Sequence, residues 1–460
     1  MRGKRTLIKG ATVITLDPEL GDFDVADLLI EDGRIAQVAP ALEIEDAELI
    51  DAASMIAIPG FVDTHRHTWQ SQLRNIAADW SLTQYFTGIL GSLAPAYRPE
   101  DVYAGNLLGL LEALDAGITT VLDWSHIMNT PEHADAGYEA LVGAGGRAIF
   151  AYGSPNALWG EGLDAEADWS DLERVRDTYF GSDDSLVTLA AALRGPDFST
   201  IDTTADDWAS IRALGLPISV HIGIGGWGQR SIAALHERGL MGPDTTYIHC
   251  SRLDPDEYAM IADTGGSVSI AAEVEMHMGH GFPPTGEMLD AGVRPSLSVD
   301  VCTGIGGDMF GQMRIALATQ RGFENDAALK AGHTPDSLRV HARDALEFAT
   351  IQGARACGLD DRIGTLTPGK DADIVLLGTK RLNMSPVNNP VAAAALAASA
   401  INVETVLVRG EVVKRDGNLV HRDLDRVRRL ATESRDYLLE QVGAETGGAW
   451  MPEAYVPPTV

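Results

Sequence analysis

The sequence predicts an α/β protein: a (β/α)8 TIM barrel with a small β-sandwich domain built from both chain ends. Three observations predict it. Between about residues 57 and 358, apolar runs of five to eight residues alternate with amphipathic helical stretches. The first 56 residues instead read as short strands with turn punctuation, and a β-rich pattern returns at 359–420. The expected division is therefore 1–56 and 359–420 for the two parts of the sandwich, 57–358 for the barrel, and 421–460 for a C-terminal helix and tail.

The N-terminal strands are expected at Thr6–Leu16, Asp27–Glu31, Arg34–Val38 and Ala47–Ile56, with a hairpin turn at Asp32-Gly33. About 50 residues seldom bury enough surface to stand alone. Gly364–Leu377 and Val403–Val413, the latter turning at Arg409-Gly410, supply a complement. In the middle, the candidate strands are Ile58–Asp63, Thr119–Asp123, Arg147–Tyr152, Leu186–Ala192, Pro217–His221, Thr245–Cys250, Ser267–Ile270 and Val293–Asp300. Apolar strands without polar alternation imply burial on both faces, as in a parallel sheet covered by helices. Beyond them, Asp423–Val442 reads as a helix followed by a Pro-containing tail, and the Ala-rich 391–401 stretch as a packed helix.

Composition excludes several partners. The chain has 460 residues, with 35 Lys+Arg against 66 Asp+Glu, a formal charge of −31. Such a surface repels nucleic acid and anionic membranes, which need clustered cations. The acidic excess concentrates in exterior stretches such as 162–174 and 182–184, where it favours solubility. Cys250, Cys302 and Cys357 are too few and too scattered for a disulfide framework, which points to a reducing compartment. The start, Met-Arg-Gly-Lys-Arg, has the charge of a signal peptide, but Lys9, Asp17 and Glu19 interrupt the apolar stretch it would need. Val391–Ile401 is too short to cross a bilayer. A cytoplasmic protein is expected, with a small-molecule substrate and copies of itself, as a homodimer or larger homo-oligomer, for partners.

In such a barrel, polar residues at the C-terminal strand ends converge on one mouth. Here they are His65, His67, Asp123, His126, Arg194, His221, His249, Glu273, Glu275 and Asp300. His65 and His67 have the i, i+2 spacing that points two imidazoles the same way from an extended strand. Two imidazoles with a third and a carboxylate make a site for a borderline divalent ion, and His221 and Asp300 are candidates for the remaining ligands. Each histidine alone reads as a core or loop residue; it is the set that argues for a metal. Gly223, Gly225, Gly226 and Gly228 are too irregular for a dinucleotide loop and suggest a flexible rim.

The segment Pro59-Gly-Phe-Val-Asp-Thr-His-Arg-His67, the isolated His221 and His249, Ser298-Val-Asp300, and Gly369-Lys-Asp-Ala-Asp-Ile374 together resemble the amidohydrolase superfamily, nearest its cytosine deaminase and triazine hydrolase branch. The resemblance runs from the N-terminal β unit to about residue 420. It implies that His65, His67, His221 and Asp300 hold one divalent ion, zinc or else iron. It further implies a hydroxide nucleophile, Asp300 as proton shuttle and His249 beside the reacting centre. Binuclear members carry a carboxylated lysine on the fourth strand, and 186–192 contains none, so a mononuclear site is expected.

One departure stands out. Deaminases of this branch usually carry a glutamate three residues after the fifth-strand histidine, and this chain has Ile224 there. Replacement acids are sought in Glu273-Val-Glu-Met-His-Met-Gly-His-Gly281, with Glu275 preferred over Glu273. His280, His126, Gln70 and Glu273 are the candidate substrate contacts; His277, Trp69 and Gln72 are weaker ones. The expected reaction is hydrolysis of a non-peptide C–N bond, most simply deamination of a purine, pyrimidine or triazine. The alternatives are amide or lactam hydrolysis, a chlorohydrolase on the same site, and a catalytically silent binding protein of the same fold.

Overall fold

A computed structural model describes residues 5–182 and 184–446 of the chain. The residues at 1–4 and the Pro-containing tail expected after the last helix lie outside the described residues.

The chain begins with β1 (Arg5–Val13), β2 (Phe23–Glu31), β3 (Arg34–Ala39), β4 (Glu48–Asp51) and β5 (Met55–Pro59). β2 and β3 form the expected hairpin, and Asp32 and Gly33 both take positive φ, at 49° and 80°, as a tight right-twisting turn requires.

Eight parallel strands follow: β6 (Phe61–Arg66), β7 (Ile118–Ser125), β8 (Arg147–Gly153), β9 (Val187–Leu193), β10 (Ile218–Ile222), β11 (Thr245–His249), β12 (Ser267–Ile270) and β13 (Ser296–Leu297). The first and last differ from the sequence reading. Ile58 belongs to β5 in the other sheet, and the barrel strand starts only after Gly60, where a Cβ would lie 2.1 Å from Thr119 Oγ1. Regular pairing of β13 stops at Leu297 because the backbone turns at Asp300, whose φ is 67°. The barrel nevertheless closes. The Asp300 amide donates to the His65 carbonyl at 2.9 Å, and the His67 amide donates to the Asp300 carbonyl at 2.8 Å. Below this seam, Thr64 Oγ1 meets Ser269 Oγ at 2.7 Å and Ser296 Oγ at 2.9 Å.

β14 (Ile374–Gly378), β15 (Val403–Val408), β16 (Glu411–Arg415) and β17 (Asn418–Leu419) complete the second sheet. β14 pairs antiparallel with β5, placing Val375 opposite Ile58, so the two chain ends share one nine-stranded mixed sheet. Ile8, Val13, Ile30, Ile374 and Leu407 fill its core. The Ala-rich stretch is not one helix. It makes short turns at Pro390–Ala392 and Ala393–Ala397, then breaks at Ser399, whose amide is taken by Asn402 Oδ1 to start another turn. The last helix, Leu424–Thr446, packs on the barrel helix Pro99–Asp115, with the Arg98 guanidinium 3.4 Å from the centre of the Tyr437 ring. Among the described residues, no helix is long and apolar enough to cross a membrane.

Candidate active site

The C-terminal ends of β6, β10 and β11 and the turn after β13 bring His65, His67, His221, His249 and Asp300 together. All five are buried. Asp300 Oδ1 lies 3.3 Å from His65 Nε2 and 3.4 Å from His67 Nε2, while its Oδ2 lies 3.7 Å from His249 Nε2. The ring centres of His65 and His221 are 4.7 Å apart. Backbone strain accompanies this convergence: His249 and Asp300 adopt φ of 72° and 67°, a region that non-glycine residues enter at a cost.

The histidines are poised as ligands. The His67 Nδ1–H donates to the Trp124 carbonyl at 2.9 Å, which leaves the Nε2 lone pair facing Asp300. Neither ring nitrogen of His65 has a hydrogen bond, nor does Nδ1 of His221. Burial pushes both imidazoles well below their usual range and brings His67 down to about 4, with neighbouring imidazoles adding to the effect at His65 and His221. Neutral, unpaired and buried nitrogens are costly unless something completes them, and a cation does so. Donor atoms of His65, His67 and Asp300 lie within 4.8 Å of one another, as do those of His65, His221 and His249 and those of His249, His280 and Asp300.

Behind His249 stands Glu275, in the first turn of the helix Ala272–Met278. Its Oε1 accepts from His249 Nδ1 at 3.1 Å and from the Ala271 amide at 2.8 Å, while Oε2 has no partner. Burial pushes its carboxyl upward and the His249 contact pulls the other way. Glu273 instead faces Gln312, which donates to it at 3.2 Å, and lies outside the cavity lining.

The remaining candidates separate in the same way. His280 sits edge-on to His249 at 4.6 Å with both ring nitrogens unpartnered, and His126 sits edge-on to His67 at 4.6 Å. Both line the cavity. Gln70 reaches it only through Tyr85, to whose hydroxyl it donates at 2.6 Å. Asp123 turns away and takes four hydrogen bonds, from the Thr68 amide and hydroxyl, Asn106 and Ser125, which anchor the turn after His67. Arg194 holds the carbonyls of Gly162 and Ala165. Trp69 is core, Gln72 bonds Tyr97 and Ser434, and His277 is exposed.

Two small inner compartments, of about 40 and 30 Å³, abut the cluster, and Tyr85, Phe86 and Ile224 line both. The sequence carried no signal for Tyr85, Phe86, Trp159 and Phe198, which lie in short helical segments and a turn within the connections that follow three barrel strands. Only Trp124, next to a strand-end Asp, had a positional signal.

Residues 56–413 match the amidohydrolase family, and the chain belongs to it. It is 26% identical to a 5'-deoxyadenosine deaminase of Methanosarcina barkeri over 95% of this chain and 99% of that one. In fold it is similar to an adenosine deaminase from Xanthomonas campestris with bound zinc, at a TM-score of 0.81, 24% identity, and coverage of 95% of this chain and 98% of the other. It is equally similar to an atrazine chlorohydrolase from Arthrobacter aurescens complexed with zinc, at 0.81 and 22% identity, covering 94% and 100%.

Proposed function

We propose that this amidohydrolase hydrolyses a non-peptide C–N bond and that the reaction is deamination of an N-heterocycle. The observation that carries this reading is the convergence of His65, His67, His221 and Asp300, with ring nitrogens left unpaired in a buried, strained setting. These four would hold one divalent ion, with zinc favoured over iron by the zinc-bearing relatives in fold. When bound, such an ion lowers the pKa of water to about 7 and supplies a hydroxide nucleophile at neutral pH.

The chain's own groups do the rest. Asp300, 3.7 Å from His249 through Oδ2, takes the proton of the nucleophile. His249, its Nδ1–H held by Glu275, keeps Nε2 turned to the reacting atoms; carrying a proton there, it would stabilise the oxygen that gains charge on the attacked carbon. Glu275, the acid sought from the sequence, reaches the reaction only through His249: it accepts the Nδ1–H and holds the imidazole in place, while the proton that Asp300 has taken passes to the leaving nitrogen as the C–N bond breaks. Tyr85, His126 and His280 bound the space where the heterocycle's reacting edge enters. We further place the enzyme in a reducing cytoplasm, as the free Cys250, Cys302 and Cys357 favour, and as a homodimer or larger assembly.

One observation favours the second reading. Ile224, fully apolar, lines both inner compartments where deaminases of this branch carry an acid. Carbon–halogen hydrolysis expels a halide and needs no proton on the leaving group, and amide or lactam hydrolysis can take that proton from Asp300 without an acid at position 224. Assaying amino-, chloro- and oxo-substituted heterocycles and cyclic amides for ammonia, halide and carboxylate decides between them. Ammonia release supports deamination; halide or ring-opened acid alone supports the second reading. A purified chain with no stoichiometric metal and no turnover would overturn both in favour of a silent binding protein.

A further inference from the structure

Outward from the imidazole cluster lies a larger chamber that the chemistry above leaves unused. It encloses about 440 Å³ and is walled by Phe86, Leu90, Pro95, Trp159, Phe198 and Trp227. These come from four separate strand-to-helix connections, after β6, β8, β9 and β10, so their meeting is a tertiary arrangement. Phe86 and Trp227 have ring centres 5.3 Å apart, Trp159 and Phe198 5.3 Å, and Phe86 and Phe198 6.1 Å, mostly edge to face. Among the described lining residues, no side chain is charged, and Asn156 is the single amide or hydroxyl bearer.

The chamber is continuous with the reacting centre. Phe86, Leu90, Trp159 and Phe198 also line the inner compartment that reaches His67, His126 and His221. That compartment, at about 40 Å³, has room for a few waters and not for a whole substrate. The bulk of any substrate must therefore sit in the outer chamber while its reactive carbon points inward.

We propose that this chamber is the specificity pocket for an uncharged, apolar aryl substituent on the substrate. It excludes hydroxylated or zwitterionic tails such as those of nucleosides. An aryl group gains burial and edge-to-face contacts there, whereas the several hydroxyls of a sugar would find only the Asn156 amide and the indole N–H groups, Trp159 Nε1 among them, and no side-chain acceptor besides Asn156. The proposal rests on the imidazole cluster being the reacting centre, but its test does not need turnover.

Isothermal titration calorimetry with N-phenylacetamide and with adenosine, on the metal-loaded protein, reads the chamber directly. N-phenylacetamide should bind saturably and adenosine at least tenfold more weakly. Phe198→Asp should weaken N-phenylacetamide by about tenfold or more, and Trp227→Ala, at the half-open rim and outside the packed core, by a smaller factor. Equal or tighter adenosine binding, or aryl affinity unchanged in Trp227→Ala and in folded Phe198→Asp, would overturn the proposal. If no heterocycle or amide turns over while these affinities behave as stated, the reaction is misassigned and the pocket stands. Should ammonia be released preferentially from ribosylated substrates, the pocket fails and the reaction stands.

Discussion

Glu275 Oε1 stands 3.1 Å from His249 Nδ1, and both side chains are sealed from solvent. The contact fixes the tautomer of an imidazole whose other nitrogen faces Asp300, and it joins the end of β11 to the helix that follows β12, across 26 positions in sequence. A carboxylate behind an imidazole tunes its basicity and locks its orientation.

Glu275→Gln preserves shape but removes the ionisable oxygen, so kcat/KM should fall roughly 10- to 100-fold. Glu273→Gln, whose partner is Gln312, should change it by less than about twofold. Steady-state rates for the two variants side by side check this, and equal rates would remove Glu275 from the reaction.

Asp300→Asn should lower turnover by about 10³-fold, since the amide cannot accept the nucleophile's proton. Its backbone amide and carbonyl, which close the barrel, are untouched, so far-UV circular dichroism should match the parent.

Chelation should abolish turnover and lower the melting temperature, because a ligand that binds only the folded state at 1,000 times its Kd contributes about 4 kcal/mol. Restoring zinc should recover both, and calorimetric scans with and without chelator read the difference.

Asp197 accepts the Gly223 amide at 2.8 Å, and burial pushes its carboxyl up to about 6 from 3.8. The folded state thus holds a proton that the unfolded chain has lost between these values. That contribution is fully present below about pH 4 and is lost as pH rises to about 6, by about 1.4 kcal/mol per pH unit. Asp197→Asn should therefore gain stability relative to the parent as pH rises across that window, as urea midpoints at pH 4.5 and 6.5 would reveal. A pH-independent difference would contradict the linkage.

Thr64→Val would strip the hydroxyl shared with Ser269, Ser296 and the Leu297 carbonyl inside the closed barrel. Ser296 keeps the Val268 carbonyl, but Ser269 loses this partner, so urea unfolding should show a loss of about 1–3 kcal/mol with little effect on metal content.

The amino-acid sequence alone determined the barrel and the mixed sheet from both ends, because buried parallel strands must be continuously apolar and hairpins need residues tolerant of positive φ, as at Asp32-Gly33. It also marked His65 and His67, because a strand's two-residue period turns local spacing into a shared direction. Elsewhere the local signal ran out. Gly60 divides one apolar run between two sheets, since Thr119 lies too close for any side chain. Which of Glu273 and Glu275 faces His249 depended on the pitch and docking of a seven-residue helix. The aromatic chamber was invisible in the sequence: Phe86, Trp159, Phe198 and Trp227 lie on the connections after four different barrel strands, in turns and helical segments too short and separate for their spacing to dictate a shared direction. Only closure of the barrel, which carries those connections to one rim, decided that they meet.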